Sequence, residues 1–384
     1  MKRTNTSIQT FLKAVLLLLL LFAGSRVINS FAFDNGPENE GVKSEGTLKI
    51  FGQEISAEDK GEGVLLSLLQ PQRKDEAAQP LAVYNSLTEL YPEHDICAEA
   101  WRVEVEVIPQ WLQTPVYASQ LRTEIAYNLL AGKLISNNIV DASQCENGGL
   151  LFNGSANACG LEIAKPAVIA WQNQFDEAIL IAAKENRVPA FLLKRLFAKE
   201  TQFWPGTSWL IYEYGLGQAT SFGLDALFQY YPSYFQSICP AIFTYETCQK
   251  SYAQLSASNR ALLRGYMASR VLNADCPTCE AGIDIAKVTA SIDVFAKLLV
   301  ANCHQVNQII VNNTEEPGGK SSSYDDLWRF TLANYNAGAG CVSDAIEEIV
   351  DEEQKLNWVN FANELIDLGY ACAGAIDYAY EISN

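Results

Sequence analysis

A carboxyl group set into an apolar helical stripe is the pattern in this chain best suited to moving a proton. Residues 188–203 read VPAFLLKRLFAKETQF. Pro189 suits a helix start, where a missing N–H costs nothing. Leu193, Leu196, Phe197 and Glu200 follow at spacings of three and four, so they share one face. Trp204-Pro205-Gly206 then stops the helix. Glu200 thus stands near a helix end on a face otherwise filled by Leu and Phe. Burial there disfavours the ionised form and raises the pKa, as a general acid working near neutrality requires. A Glu at the rim of an apolar face is ordinarily a solvated residue, so the pattern needs company to mean anything.

Two further stretches supply it. Glu213-Tyr214-Gly215-Leu216-Gly217-Gln218 lies a short loop downstream, and Asn334-Tyr335-Asn336-Ala337-Gly338 lies at a second expected helix end. In this order the three pieces resemble the lytic transglycosylases of the soluble-lytic-transglycosylase (SLT) type, within the lysozyme superfamily. The pattern of that family is Glu-Ser on a helix, then Gly-Leu-Met-Gln, then Ala-Tyr-Asn-Ala-Gly. The resemblance covers residues 165–345 and departs from the pattern at Thr201, Gly217 and Asn334, which replace Ser, Met and Ala.

The resemblance implies a mainly helical, lysozyme-like α+β domain that cleaves peptidoglycan strands without metal or organic cofactor. In such enzymes one carboxyl protonates the oxygen between N-acetylmuramic acid and N-acetylglucosamine. It then accepts the proton of the muramic C6 hydroxyl as a 1,6-anhydro ring closes, with the N-acetyl group assisting. Carried over, Glu200 is the acid and base, and Gln218 binds the sugar beside the scissile bond. Tyr335 holds the Glu200 carboxyl, Asn336 shapes the turn or touches the glycan, and Gly215 belongs to the substrate loop. Gly217 omits a side chain that lines the cleft in the family.

The residues leave other chemistry open. Most glycosidases use a second carboxylate. Glu213 could reach across the cleft and activate water, which would give a reducing sugar, and Asp225 is a weaker candidate for that task. Hydrolysis of the lysozyme or chitinase type is therefore one alternative, and a cell-wall-binding protein without turnover is another. Among the aromatics dense between positions 197 and 252, Tyr214 is the one expected to wall the cleft, because flat rings stack on sugar faces.

Several elements must position these groups. From 165 onward the spacing is strongly helical, with Val168, Trp171, Phe175, Ile179 and Ala182 forming a stripe that leads into the Glu200 helix. Residues 283–311 read as one long helix with Ile285, Val288, Ile292, Phe295 and Leu299 inward. Ser323 before Tyr324-Asp325-Asp326 reads as a helix cap, and Trp328, Leu332 and Tyr335 share a stripe. The tail, 358–382, is amphipathic and expected to pack back on the bundle.

Upstream, the chain opens with a targeting segment. Lys2, Arg3 and Lys13 precede a leucine-rich run over 14–23, with small-residue cleavage sites after Ser25 or Ala32. The run is short for a membrane span, so export is the expectation, with membrane association only if the segment stays uncleaved. Residues 33–64 read as an acidic flexible linker, and 65–150 as a smaller mixed α/β region of unassigned role. Within it, 101–108 (WRVEVEVI) alternates like a half-buried strand, and 82–91 and 120–134 carry helical spacing. The Gly/Asn-rich stretch 145–160 is the expected boundary before a catalytic domain over 160–384.

Composition narrows the partners. The chain carries −18, and losing residues 1–25 with their three cations would deepen this to −21. That balance disfavours nucleic acid and anionic membrane. Ten cysteines behind an export signal point to disulfides, with Cys239–Cys248 and Cys145–Cys159 as candidate small loops. Cys276-Pro277-Thr278-Cys279 also admits a redox pair, or a zinc site completed by Cys303 and His304.

Overall fold

The structure, a computed structural model, describes Lys49–Ile50, Gln53–Glu54 and residues 95–384 apart from 106 and 207–211. The chain forms two compact units, Met1–Gln79 and Pro80–Asn384. In the first, β1 (Lys49–Ile50) and β2 (Gln53–Glu54) pair antiparallel, Lys49 opposite Glu54, inside the stretch read from sequence as linker. The targeting segment and the helical spacing at 82–91 lie outside the described residues.

The second unit is mainly helical. Its principal helices are α1 (Ile96–Trp101), α2 (Asn128–Ser136), α3 (Ala158–Asn173), α4 (Asp176–Asn186), α5 (Ala190–Thr201), α6 (Ser221–Tyr230), α7 (Pro232–Ile238) and α8 (Ala257–Tyr266). There follow α9 (Ile285–Thr314), α10 (Tyr324–Ala337), α11 (Ala339–Asp351), α12 (Trp358–Asp367) and α13 (Tyr370–Ser383). No strand occurs among its described residues, only isolated bridges such as Tyr214 with Ala219. The β part of the expected α+β domain is reduced to these.

The organising element is α9, which packs on α1, α4, α6, α10 and α11. Val294, Phe295, Ala296, Leu298, Leu299, Val300 and Ala301 are all buried, and the Asp293–Lys297 ion pair occupies the partly exposed strip that remains. A helix apolar over most of its circumference belongs at the centre of a domain. Asp284 caps its start by accepting from Lys287 N at 3.0 Å. The cap expected at Ser323 is present, its hydroxyl accepting from Asp326 N at 3.2 Å. The tail forms two helices, and α13 packs against both α10 and α5.

Two expectations upstream are corrected. The described residues of 101–108 form no strand: Trp101 ends α1, and Arg102 turns the chain at φ 54°. Val103 and Val105 do face inward, but Val107 is 80 % exposed and no strand pairs with this stretch among the described residues. The inward positions were legible and the ladder was not, because alternation fixes which side chains face in and says nothing of a partner. No boundary between compact units falls at 145–160 either. Cys97, Trp101, Leu121 and Leu130 belong to the same core as α9, and the Cys97–Cys303 disulfide ties α1 to α9 across 206 residues.

All ten cysteines pair: Cys97–Cys303, Cys145–Cys159, Cys239–Cys248, Cys276–Cys279 and Cys341–Cys372. The two small loops expected from sequence are among them. Cys303 is bonded to Cys97 and cannot join Cys276 and Cys279 around zinc. No described helix is long and apolar enough to cross a membrane.

Candidate functional site

Helix α5 brings Glu200 to its last turn. Leu193, Leu196 and Phe197 on the same face are fully buried, while Glu200 itself is partly exposed. The helix ends one residue later, not at Trp204-Pro205-Gly206. Gln202 and Phe203 take left-handed backbone at φ 49° and 65°. Gln202 then serves a second helix, its Oε1 accepting from Leu129 N at 2.9 Å and Leu130 N at 3.3 Å at the start of α2. Two side-chain contacts fix α5 to α13: Arg195 Nη1 donates to Ile382 O at 2.9 Å, and Lys199 pairs with Glu381.

The Glu200 carboxyl is pushed up to about 7, chiefly by burial and further by the charge of Glu213. Its place at a helix C-terminus, where the carbonyl ends carry partial negative charge, acts in the same direction. Against this, the Tyr378 hydroxyl of α13 donates to Glu200 Oε1, and the Lys199 charge lowers the pKa slightly. Tyr378 is buried, and burial together with the Glu200 charge pushes its phenol well above the ordinary range. It therefore keeps its proton and donates a hydrogen bond to the carboxyl.

The three stretches singled out from sequence are hydrogen-bonded to one another. Thr201 Oγ1 donates to Leu216 O at 2.9 Å, joining the end of α5 to the turn that follows it. Tyr335 of α10 donates to Gly217 O at 2.5 Å, joining the same turn to the third stretch. The turn is closed by Ala219 N donating to Tyr214 O at 2.9 Å, with Gly215 at φ 74°. That angle suits glycine, and a Cβ at Gly215 would also meet Phe295 Cζ at 2.9 Å.

Tyr335 thus has a different duty from the one expected. Its hydroxyl holds the turn, and Tyr378 holds the carboxyl. Burial, and then the charges of Glu200 and Glu213, push the Tyr335 phenol well above the ordinary range. Gly217 is corrected too. A Cβ there would lie 2.5 Å from Phe295 Cδ1 and 2.9 Å from Tyr335 Oη, so the position faces the core and not a groove.

Beside the turn runs a cleft of about 590 Å³, whose lining includes Gln218, Tyr335 and Asn336. Gln218 is folded over its own turn, Nε2 donating to Gly215 O at 2.7 Å and to Gly206 O at 3.1 Å. Asn336 is exposed on the rim. Tyr214, expected as a wall, is not part of this lining; the rings there besides Tyr335 are Phe222, Tyr230 and Tyr252, with Phe222 85 % exposed. Glu200 and Glu213 are not part of it either. Glu213 is partly exposed and its pKa is raised by burial. Asp225 is withdrawn from acid–base work, because it accepts from Arg264 Nη1 at 2.8 Å and from the Tyr252 hydroxyl.

Sequence reasoning missed three contributors. Tyr378 lies in a stripe with Ala375, Ala379 and Ile382, a polar intruder in an aliphatic row just as Glu200 is. Asn302 and Gln305 of α9 accept from Asn334 Nδ2 at 2.6 and 2.9 Å, and all three line the cleft. Asn334 therefore fastens α10 to α9, which the Ala of the family pattern could not do. Its Oδ1 is buried without a hydrogen-bond partner among the described residues.

No protein-family model, no curated protein and no solved structure matches this chain.

Proposed function

We propose that the protein is a peptidoglycan lytic transglycosylase with a lysozyme-like catalytic domain, acting outside the cytoplasm and using Glu200 as its single acid and base. One observation carries this reading. A carboxyl pushed up to about 7 sits at a helix end, and the next residue, Thr201, is hydrogen-bonded to the turn that Tyr335 also holds. Such a group is protonated for half its time near neutrality, so it can give a proton and take one back.

In the proposed reaction Glu200 protonates the glycosidic oxygen between N-acetylmuramic acid and N-acetylglucosamine, and the bond from C1 to that oxygen breaks. The C6 hydroxyl of the muramic residue then bonds to C1, and the Glu200 carboxylate takes the proton that the hydroxyl loses. Tyr378 keeps the carboxyl aimed throughout by donating to Oε1. In this proposal the strand lies in the cleft that Gln218, Tyr335 and Asn336 line, and its scissile bond reaches Glu200 beyond that lining. Five disulfides support a location outside the cytoplasm.

A second reading has its own support. The Glu213 charge is among the causes that raise the pKa of Glu200. If Glu213 activates water, the products end in reducing sugars. Mass spectrometry of muropeptides released from purified sacculi tests both readings. Anhydro ends are expected; reducing ends would favour Glu213 hydrolysis, and no products would leave only binding. The Glu200→Gln protein should be folded and release nothing, and turnover at the wild-type rate would overturn the assignment.

A further inference from the structure

The cleft carries a cation with nothing to bind. Arg260 and Arg264 stand four residues apart on α8 and therefore share a face. Arg264 is engaged, its Nη1 donating to Asp225 Oδ1 at 2.8 Å and Oδ2 at 3.0 Å. Asp225, the one carboxylate in the described lining of the cleft, also accepts from Tyr252. Arg260 is the one cation in that lining, and its guanidinium makes no hydrogen bond or ion pair with any described residue. A guanidinium is charged at every accessible pH and offers a planar fork of donors that matches a carboxylate.

The rest of the wall explains what this charge adds. Gln218, Gln229, Asn302, Gln305, Asn334 and Asn336 all border the cleft. Carboxamides pair well with hydroxyl and N-acetyl groups, but they cannot separate a neutral sugar polymer from an acidic one. On a chain of net charge −18 an acidic polymer meets general repulsion. A single unneutralised guanidinium inside the groove reverses that locally and rewards a carboxylate placed opposite it.

We propose that Arg260 is a specificity-determining residue that pairs with a carboxylate of the bound strand, so that the cleft selects carboxylate-bearing glycan over neutral β-1,4-linked N-acetylglucosamine polymer. The inference rests on the proposed function insofar as the cleft is read as the glycan groove. Within peptidoglycan the carboxylate has two sources, the free lactyl group of a peptide-stripped muramic residue or the stem peptide.

The test is calorimetric binding to the full-length Glu200→Gln protein, with and without Arg260→Gln, so that cleavage does not intrude. Three probes separate the sources: chitohexaose, peptide-free glycan with lactyl carboxylates, and glycan with stem peptides attached. Removing Arg260 should weaken at least one carboxylate-bearing probe about tenfold, the scale of a half-solvated charge-assisted pair. The ratio of its affinity to that of chitohexaose should fall by the same factor, and Arg260→Lys should restore part of it. A larger loss with peptide-free glycan identifies the lactyl group, and a larger loss with peptide-bearing glycan identifies the stem. An unchanged ratio overturns the proposal while leaving Glu200 untouched. An Arg260-dependent preference, together with a wild-type protein that releases no muropeptide, would sustain the proposal and overturn the catalytic reading. Failure of all three probes to bind would overturn the cleft as a glycan groove, and the proposal with it.

Discussion

Replacing Glu200 by Gln should stabilise the fold, and by an amount that depends on pH. The native carboxyl titrates at about 7, against 4.5 for the unperturbed group. Each unit of difference is worth about 1.4 kcal/mol, so ionising the native group costs roughly 3 kcal/mol more than ionising the unfolded one. Partial solvation of the carboxyl reduces this to about 2 kcal/mol. Below about pH 4.5 both states are protonated and the acid carries no penalty. Between about 4.5 and 7 the unfolded chain releases its proton while the native protein retains it, and the penalty grows. Above about 7 the native carboxyl ionises as well and the penalty is complete. Gln resembles the protonated acid at every pH and can still accept the Tyr378 hydrogen bond. The stability gain of Glu200→Gln in urea unfolding should therefore be near zero at about pH 4, climb through the interval, and level off at about 2 kcal/mol by pH 8. A gain that does not vary with pH, or a loss at pH 8, would mean that the native carboxyl is not held neutral. Because the assay needs no substrate, it judges the electrostatics separately from any enzymatic activity.

Two other outcomes follow from the same geometry. Tyr378→Phe removes the donor that favours the ionised form of Glu200, so the carboxyl should titrate about one unit higher in a carbon-13 NMR titration, and the alkaline limb of the pH–rate profile should shift upward with it; an unshifted or lowered midpoint would assign that hydrogen bond no electrostatic role. Gly217→Ala places a methyl 2.5 Å from Phe295 Cδ1 and 2.9 Å from Tyr335 Oη, so it should cost about 1–3 kcal/mol in urea unfolding, and Gly217→Met, which reinstates the residue of the family pattern, should cost at least as much; a stable Gly217→Met protein would show that the turn can swing away from α9.

What was legible in the sequence was whatever a single helix writes into its own spacing. The face of α5 that buries Leu193, Leu196 and Phe197 could be read directly, and so could the long α9 and the Ser323 cap. The three stretches of the candidate site could be read as well, because each is local. What could not be read was which side chain meets which across the fold. Tyr335 was the tyrosine nearest in pattern to Glu200, yet the hydroxyl that reaches the carboxyl comes from residue 378 on a helix that packs against α5. Periodicity marks Tyr378 as inward and leaves its partner open, since a buried phenol will take any acceptor that the packing presents. Gly217 shows the same limit from the opposite side. Beside a motif it reads as a missing cleft residue, and only the approach of Phe295 from α9 makes it a position where nothing larger fits. Both corrections concern contacts between distant segments. The departures from the family pattern are therefore coherent as a set: Thr201 keeps the hydroxyl that Ser would carry, Asn334 adds a tether, and Gly217 gives way to a ring. Together they draw the turn at 215–218 tightly between α5, α9 and α10. A site assembled that closely gains precision from rigidity, which is what holding one carboxyl neutral and aimed demands.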